Sequence, residues 1–185
     1  WPAAMTTWTS PIDGVTTATP LGIAKEAERL KALGELAEAN ELLNQLPSLA
    51  HAFIGNTSGS LGETSALALL LGGLYLIYKG HVDWKIPASF IGTVFGLTAL
   101  YGLFTNQPLV YPFFHILTGG LFLGAFFMAT DWVTRPITKK GRVIFGIGCG
   151  LLTVIIRLKG GYPEGVCYAI LLMNCVTPLI DNYTK

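Results

Sequence analysis

The sequence predicts an all-α, polytopic membrane protein, and three observations carry that prediction. Hydrophobic residues make up 51% of the 185 positions and charged residues only 12%, against roughly a quarter charged in soluble domains. The mean hydropathy is +0.53. From Leu61 onward apolar runs recur at the length, about 20 residues, that crosses a hydrocarbon layer about 30 Å thick. Backbone polar groups within lipid must be satisfied inside their own segment, so these runs read as helices packed into a bundle.

Residues 1–23 read as an irregular loop, punctuated by Pro2, Pro11 and Pro20, with Trp1 and Trp8 suited to a membrane interface. The chain opens on Trp1 and shows no signal-peptide pattern, so it is expected to be a stretch of a longer protein. Residues 24–47 differ sharply. Lys25, Glu26, Glu28, Arg29, Lys31, Glu35, Glu38 and Glu41 alternate there with Leu30, Leu33, Leu36 and Leu43, up to Pro47. That pattern predicts one amphipathic, water-exposed helix lying on the membrane domain as a lid, or offered to a partner.

The membrane domain is expected over 48–185. Its first residues are apolar and then glycine- and serine-rich, Gly55-Asn56-Thr57-Ser58-Gly59-Ser60. They are too short and too broken to span, which predicts a re-entrant segment buried in protein or along a polar cavity. Five spans are expected after it, over about 61–78, 86–104, 112–130, 142–158 and 163–181. Glycines at i,i+4, Gly92/Gly96, Gly120/Gly124 and Gly146/Gly150, predict close helix approach.

Charge gives an orientation. With the Leu61 end outside, Lys79, Lys85, Arg135, Lys139, Lys140, Arg142 and Lys185 fall inside, seven of the 12 lysines and arginines. The positive-inside rule favours this arrangement, which puts residue 19 and the charged helix on the outer face.

Several chemistries are excluded or left bland. A net charge of +1 with no basic patch gives no sign of nucleic-acid binding. Cys149, Cys167 and Cys175 lack Cys-x-x-Cys spacing and read as small apolar thiols. His51, His81 and His115 do not share metal-ligand spacing, and no Ser-His-Asp set or phosphate loop is present. His115 is expected to meet a polar partner in the bundle. Asp131 sits at the inner end of its span. Glu63, inside the glycine-rich segment, is the candidate intramembrane acid for ion translocation, with capping of a helix start as its simpler role.

The stretch that organises the chain is Asp13-Gly14-Val15-Thr16-Thr17-Ala18-Thr19-Pro20. It resembles the flavinylation motif Asp-Gly-x-Ser/Thr-Gly/Ser-Ala-Thr of membrane subunits in Rnf electron-transport complexes and in the sodium-pumping NADH:quinone reductase, with Thr17 in the Gly/Ser place. Gly55-Asn56 with Gly62-Glu63-Thr64-Ser65, then Phe127-Met128-Ala129-Thr130-Asp131, Gly160-Gly161-Tyr162-Pro163-Glu164-Gly165 and Thr177-Pro178-Leu179-Ile180-Asp181, are similar to the RnfD family of Rnf complex subunits. The resemblance covers nearly the whole chain and corresponds to the C-terminal half of such a subunit, whose two related halves are built like urea transporters.

The resemblance implies FMN esterified through its phosphate to Thr19, with Asp13, Gly14 and Ala18 read by a flavin transferase of the ApbE type. It also admits riboflavin as a second, non-covalent flavin. Arg157, a cation at the end of an apolar run, would then pair with the flavin phosphate or ring, or snorkel or pair with Glu164. The implied function is an FMN-carrying membrane subunit of a ferredoxin:NAD⁺ oxidoreductase that moves Na⁺ or H⁺ across a bacterial or archaeal inner membrane. Its implied partners are the other subunits and the bilayer. The homologous NqrB component of the quinone reductase, and a urea-transporter-like channel without redox chemistry, are the alternatives.

Overall fold

The computed structural model describes residues 19–44, 46–55, 64–105, 107–108 and 110–184, and among them every regular element is helical. Asp13, Gly14, Ala18 and Glu63 lie outside the described residues.

Helix α1 spans Pro20–Leu33. Thr19 is its N-cap, extended at φ −66° and ψ 152°, and the Thr19 hydroxyl oxygen accepts from Gly22 N at 3.3 Å. Pro20 follows at the first helical position, where a missing N–H costs nothing. The helix stops at Gly34, whose φ of +88° is left-handed and whose N–H returns to the carbonyls of Leu30 and Lys31. Only glycine adopts that conformation freely. Helix α2, Leu36–Asn44, follows at once. The stretch expected as one helix over 24–47 is therefore a hairpin of two, packed together, with Ala27 and Ala39 fully buried.

A short helix α3, Leu49–Ile54, is capped by Ser48 and packs beside α4 and α6. Helix α4, Ala66–Tyr78, starts on Ser65, whose oxygen accepts from Ala68 N at 3.2 Å. Its 13 residues rise about 20 Å, less than a full crossing. Helices α5 (Lys85–Phe104), α8 (Lys139–Lys159) and α9 (Val166–Tyr183) are each long and apolar enough to cross.

The expected span over 112–130 is broken. Helix α6, Tyr111–Leu117, meets α7, Leu121–Leu123, and the π-helical turn Gly124–Met128 that continues it at a bend of 62°. The break runs through Thr118, which is extended, and Gly119, which takes φ +74°. Most of the segment expected to be re-entrant, residues 56–62, lies outside the described residues.

The core lies between α5, α8 and α7. Ile86, Phe90 and Val94 of α5 meet Phe145 and Cys149 of α8, with Leu121 and Ala125, all fully buried. Close approach of α5 to α8 depends on Gly146 and Gly150. A methyl at Gly150 would stand 2.7 Å from Thr93 Cβ and 3.0 Å from Phe90 O, closer than carbon atoms pack. Gly92 and Gly96, by contrast, have open space where a side chain would start.

The three long helices bury only 33–44% of their apolar windows, so most of their apolar surface faces outward, as a lipid environment requires. One end of the bundle is laced by polar contacts. Arg142 Nη1 donates to Asp83 Oδ2 at 2.6 Å, Trp132 Nε1 to His81 O at 3.0 Å, and Ile137 N to Asp181 Oδ1 at 2.9 Å. Lys79, Lys85, Arg135, Lys139 and Lys140 belong to the segments gathered at this end.

Candidate functional site: a cleft under the helical hairpin

At the opposite end the α1–α2 hairpin sits on the bundle. Lys25 Nζ donates to the carbonyls of Gly160 and Tyr162 in the α8–α9 connection, the latter at 3.1 Å. Leu21, 4% exposed, is driven into the α6–α7 bend. A methyl at Gly119 would lie 2.7 Å from Leu21 Cδ1, 3.2 Å from Arg157 Nη2 and 3.4 Å from Glu164 Oε1. Four elements therefore converge at one glycine: the start of α1, the bend, the last turns of α8 and the loop after it.

Arg157 neither snorkels nor ends in solvent. It is 5% exposed, and its Nε donates to Glu164 O at 3.1 Å while Nη1 donates to His115 O. Its methylene stem and planar fork suit this task of holding fixed carbonyls. The sequence-based pairing with Glu164 is thus seen through the main chain.

Between hairpin and bundle lies a cleft of about 420 Å³. Leu21, Leu43, Leu46, Phe114 and Leu158 are among its apolar walls, and Lys25, Glu28 and Lys31 bring charge to it. His115 and Arg157 also line it. His115 is 7% exposed; the polar partner expected for it is met at its main-chain carbonyl, which accepts from Arg157, while its Nδ1 has no hydrogen-bond partner among the described residues. The ring is held edge-on by Tyr111, with centroids 4.5 Å apart, and by Phe114 at 5.9 Å.

Of the residues singled out in the sequence, Thr19 and Arg157 come to this end of the molecule, Thr19 two residues before Leu21. His115 is not among the site residues expected from sequence, because the group that holds it, Arg157, stands 42 residues away. The aromatic run Tyr111-Pro112-Phe113-Phe114 ahead of it was the available signal. No group of three or more His, Cys, Asp or Glu suited to a metal occurs among the described residues. Cys149 is buried, Cys167 and Cys175 are exposed, and all three are free thiols.

An all-helical bundle with long apolar outward faces, laced at one end and carrying a capped cleft at the other, defines a polytopic membrane protein. The chain belongs to the NQR2, RnfD, RnfE family, which it matches over residues 1–185. It is 53% identical, across all of its length, to the D component of the proton-translocating ferredoxin:NAD(+) oxidoreductase complex of Clostridium ljungdahlii, covering 55% of that protein. It is 47% identical to the D component of the Na(+)-translocating ferredoxin:NAD(+) oxidoreductase complex of Acetobacterium woodii, covering 53% of it. It is also 44% identical, over 94% of its length, to the D component of the ion-translocating oxidoreductase complex of Stutzerimonas stutzeri, covering 48% of it. The chain spans about half the length of these relatives.

Proposed function

We propose that this chain is the flavin-bearing part of a membrane subunit of an ion-translocating ferredoxin:NAD⁺ oxidoreductase complex, with FMN joined through its phosphate to Thr19. The observation that carries the reading is Thr19 itself: last residue of the Asp-Gly-x-Thr-x-Ala-Thr motif and N-cap of α1. Its oxygen accepts from Gly22 N through a lone pair, which a phosphoester leaves in place. A phosphate there stands at the positive end of a 14-residue helix, the site at which backbone N–H groups and the helix dipole favour an anion. Asp13, Gly14 and Ala18 would serve a flavin transferase rather than the electron transfer itself.

The protein's residues fit such a group. The cleft lined by Leu21, two residues from Thr19, has apolar walls on which an aromatic ring can lie, and His115 Nδ1 in its lining has no hydrogen-bond partner among the described residues. When bound, FMN supplies one- and two-electron chemistry; the chain's task is to position it and set its potential. Covalent attachment keeps a flavin on the outer face from being lost. The assembly would lie in a bacterial or archaeal cytoplasmic membrane with the laced basic end inside. Other subunits would supply the electron carriers. The translocated ion is Na⁺ or H⁺, since the two relatives above are named for different ions. Glu63 is the proposed intramembrane acid, and riboflavin a proposed second flavin.

The test is a denaturing gel of the chain made with its flavin transferase. A fluorescent band, and FMN mass on the peptide holding Thr19, are expected. A chain with no band, or with the mass elsewhere, overturns the reading.

A further inference from the structure

We infer that the cleft under the α1–α2 hairpin is the berth of the flavin ring carried on Thr19, and that His115 Nδ1 is the hydrogen-bonding group that fixes the ring there. The inference rests on the attachment proposed above.

The first support is an unmet need. His115 is nine-tenths buried, and its Nδ1 has no partner among the described residues. A buried polar atom left unsatisfied costs about 1–3 kcal/mol, and such atoms are rare enough in native proteins that each asks for an explanation. The imidazole is also held in place. Tyr111 and Phe114 flank it edge-on, and Arg157 grips its main-chain carbonyl. The same residue lines the cleft.

Size and chemistry support the same occupant. At about 420 Å³ the cleft falls within the roughly 300–1,000 Å³ of sites for cofactor-sized ligands. Leucines and Phe114 give it apolar walls while Lys25, Glu28, Lys31, His115 and Arg157 bring polar groups to its lining, a mixture that suits a flat aromatic ring with polar edge atoms. Reach agrees as well. Leu21 lines the cleft and lies two residues from Thr19, at most roughly 7 Å of chain. A ring tethered at Thr19 thus hangs at the cleft's edge.

The experiment uses the flavinylated subunit in detergent, read in three ways: gel fluorescence for attachment, iodide quenching of the flavin in the folded protein, and the FMN midpoint potential. In the wild type the folded flavin should be at least tenfold less accessible to iodide than the denatured one. His115→Phe keeps the aromatic packing and removes the nitrogen, and should leave attachment unchanged. Its midpoint should shift by the equivalent of about a tenfold change in relative affinity for the two redox states, about 30 mV for a two-electron couple. His115→Asn, which puts an amide near Nδ1, should recover part of that shift. If His115→Phe does not fold, Leu43→Trp fills the cleft from the hairpin side and should raise iodide quenching severalfold. A wild-type flavin as open to iodide as the denatured one overturns the berth, and so does quenching unchanged in Leu43→Trp. A flavinylated His115→Phe with unchanged potential overturns the role of Nδ1. A wild type with no gel band instead fails the attachment at Thr19.

Discussion

The guanidinium of Arg157 donates to the main-chain carbonyl of His115, 42 residues earlier, and so fixes the last turn of α6 to the end of α8. The same side chain donates to Glu164 O. Charge-assisted bonds of this kind contribute about 1.5–3 kcal/mol each. Arg157→Gln is therefore expected to lower thermal stability, and, with a cation removed beside the proposed flavin, to lower its midpoint potential. A tenfold effect is about 59 mV for one electron. Arg157→Lys should recover part of the potential, by keeping the charge, and less of the stability, by losing the fork. Redox titration alongside a thermal melt separates the two. A potential unmoved in Arg157→Gln would leave the residue with a structural role alone.

Thr19 is expected to combine attachment with capping. Thr19→Ala should abolish the fluorescent band and destabilise α1 by about 0.5–2 kcal/mol, the usual cost of losing an N-cap. Thr19→Ser keeps a hydroxyl and a cap, and should retain both in good part. Thr16→Ala and Thr17→Ala should keep the band. A covalent adduct surviving in Thr19→Ala would move the acceptor to another threonine.

Sidedness can be read with a membrane-impermeant thiol reagent on intact cells, with Cys167 and Cys175 first replaced by serine because both are exposed. Glu35→Cys, in the exposed turn of the hairpin, should be labelled. Val133→Cys, 89% exposed at the laced end, should react only after lysis. The opposite pattern would put Thr19 in the cytoplasm.

Asp83 makes the laced end sensitive to acid. Burial alone would raise its pKa, but the hydrogen bonds from Arg142 and from Lys85 N, with the charges of both residues, hold it below the usual carboxylate range. Its contribution is complete above the ordinary aspartate pKa of about 3.9 and is lost as pH falls through the lower folded value. Melting temperatures between pH 5 and pH 3 should fall more steeply for the wild type than for Asp83→Asn, which starts lower and lacks the titrating group. Parallel curves would show that the pair contributes nothing.

Two helix glycines should behave oppositely. Gly150→Val forces a side chain against Thr93 and Phe90 O, and overpacking of this kind costs about 1–3 kcal/mol or more. Gly92→Ala meets open space and should be tolerated, as judged by size-exclusion profiles of fluorescently tagged variants. Equal loss in both would mean that the i,i+4 glycine pairs act alike.

Much of this architecture was legible because it rests on local rules. The leucine stripe before Pro47 and the long runs that became α5, α8 and α9 are each written in neighbouring residues, whereas the helix expected from residue 24 starts at Pro20. Gly34 carried a signal that the single-helix expectation passed over, since a glycine inside an amphipathic pattern followed by a fresh run can be a helix C-cap. The bend between α6 and α7 was not legible, because two adjacent glycines in an apolar run serve equally for packing or for breaking. The cleft was the least legible feature. His115, Arg157 and Leu21 are remote in sequence, and nothing local to any of them announces the others.

The two ends of the bundle are fastened unequally, and this has a mechanical consequence. The basic end is stitched by several crossing polar bonds between α5, α8, α9 and their connections, so moving one strap there means moving all. The hairpin is clipped down by the ammonium of Lys25 and the wedge of Leu21. Thermal breathing should therefore concentrate at the hairpin, as a flap swinging on its latch while the foundation stays rigid. A cargo beneath that flap could be admitted after the bundle has already folded.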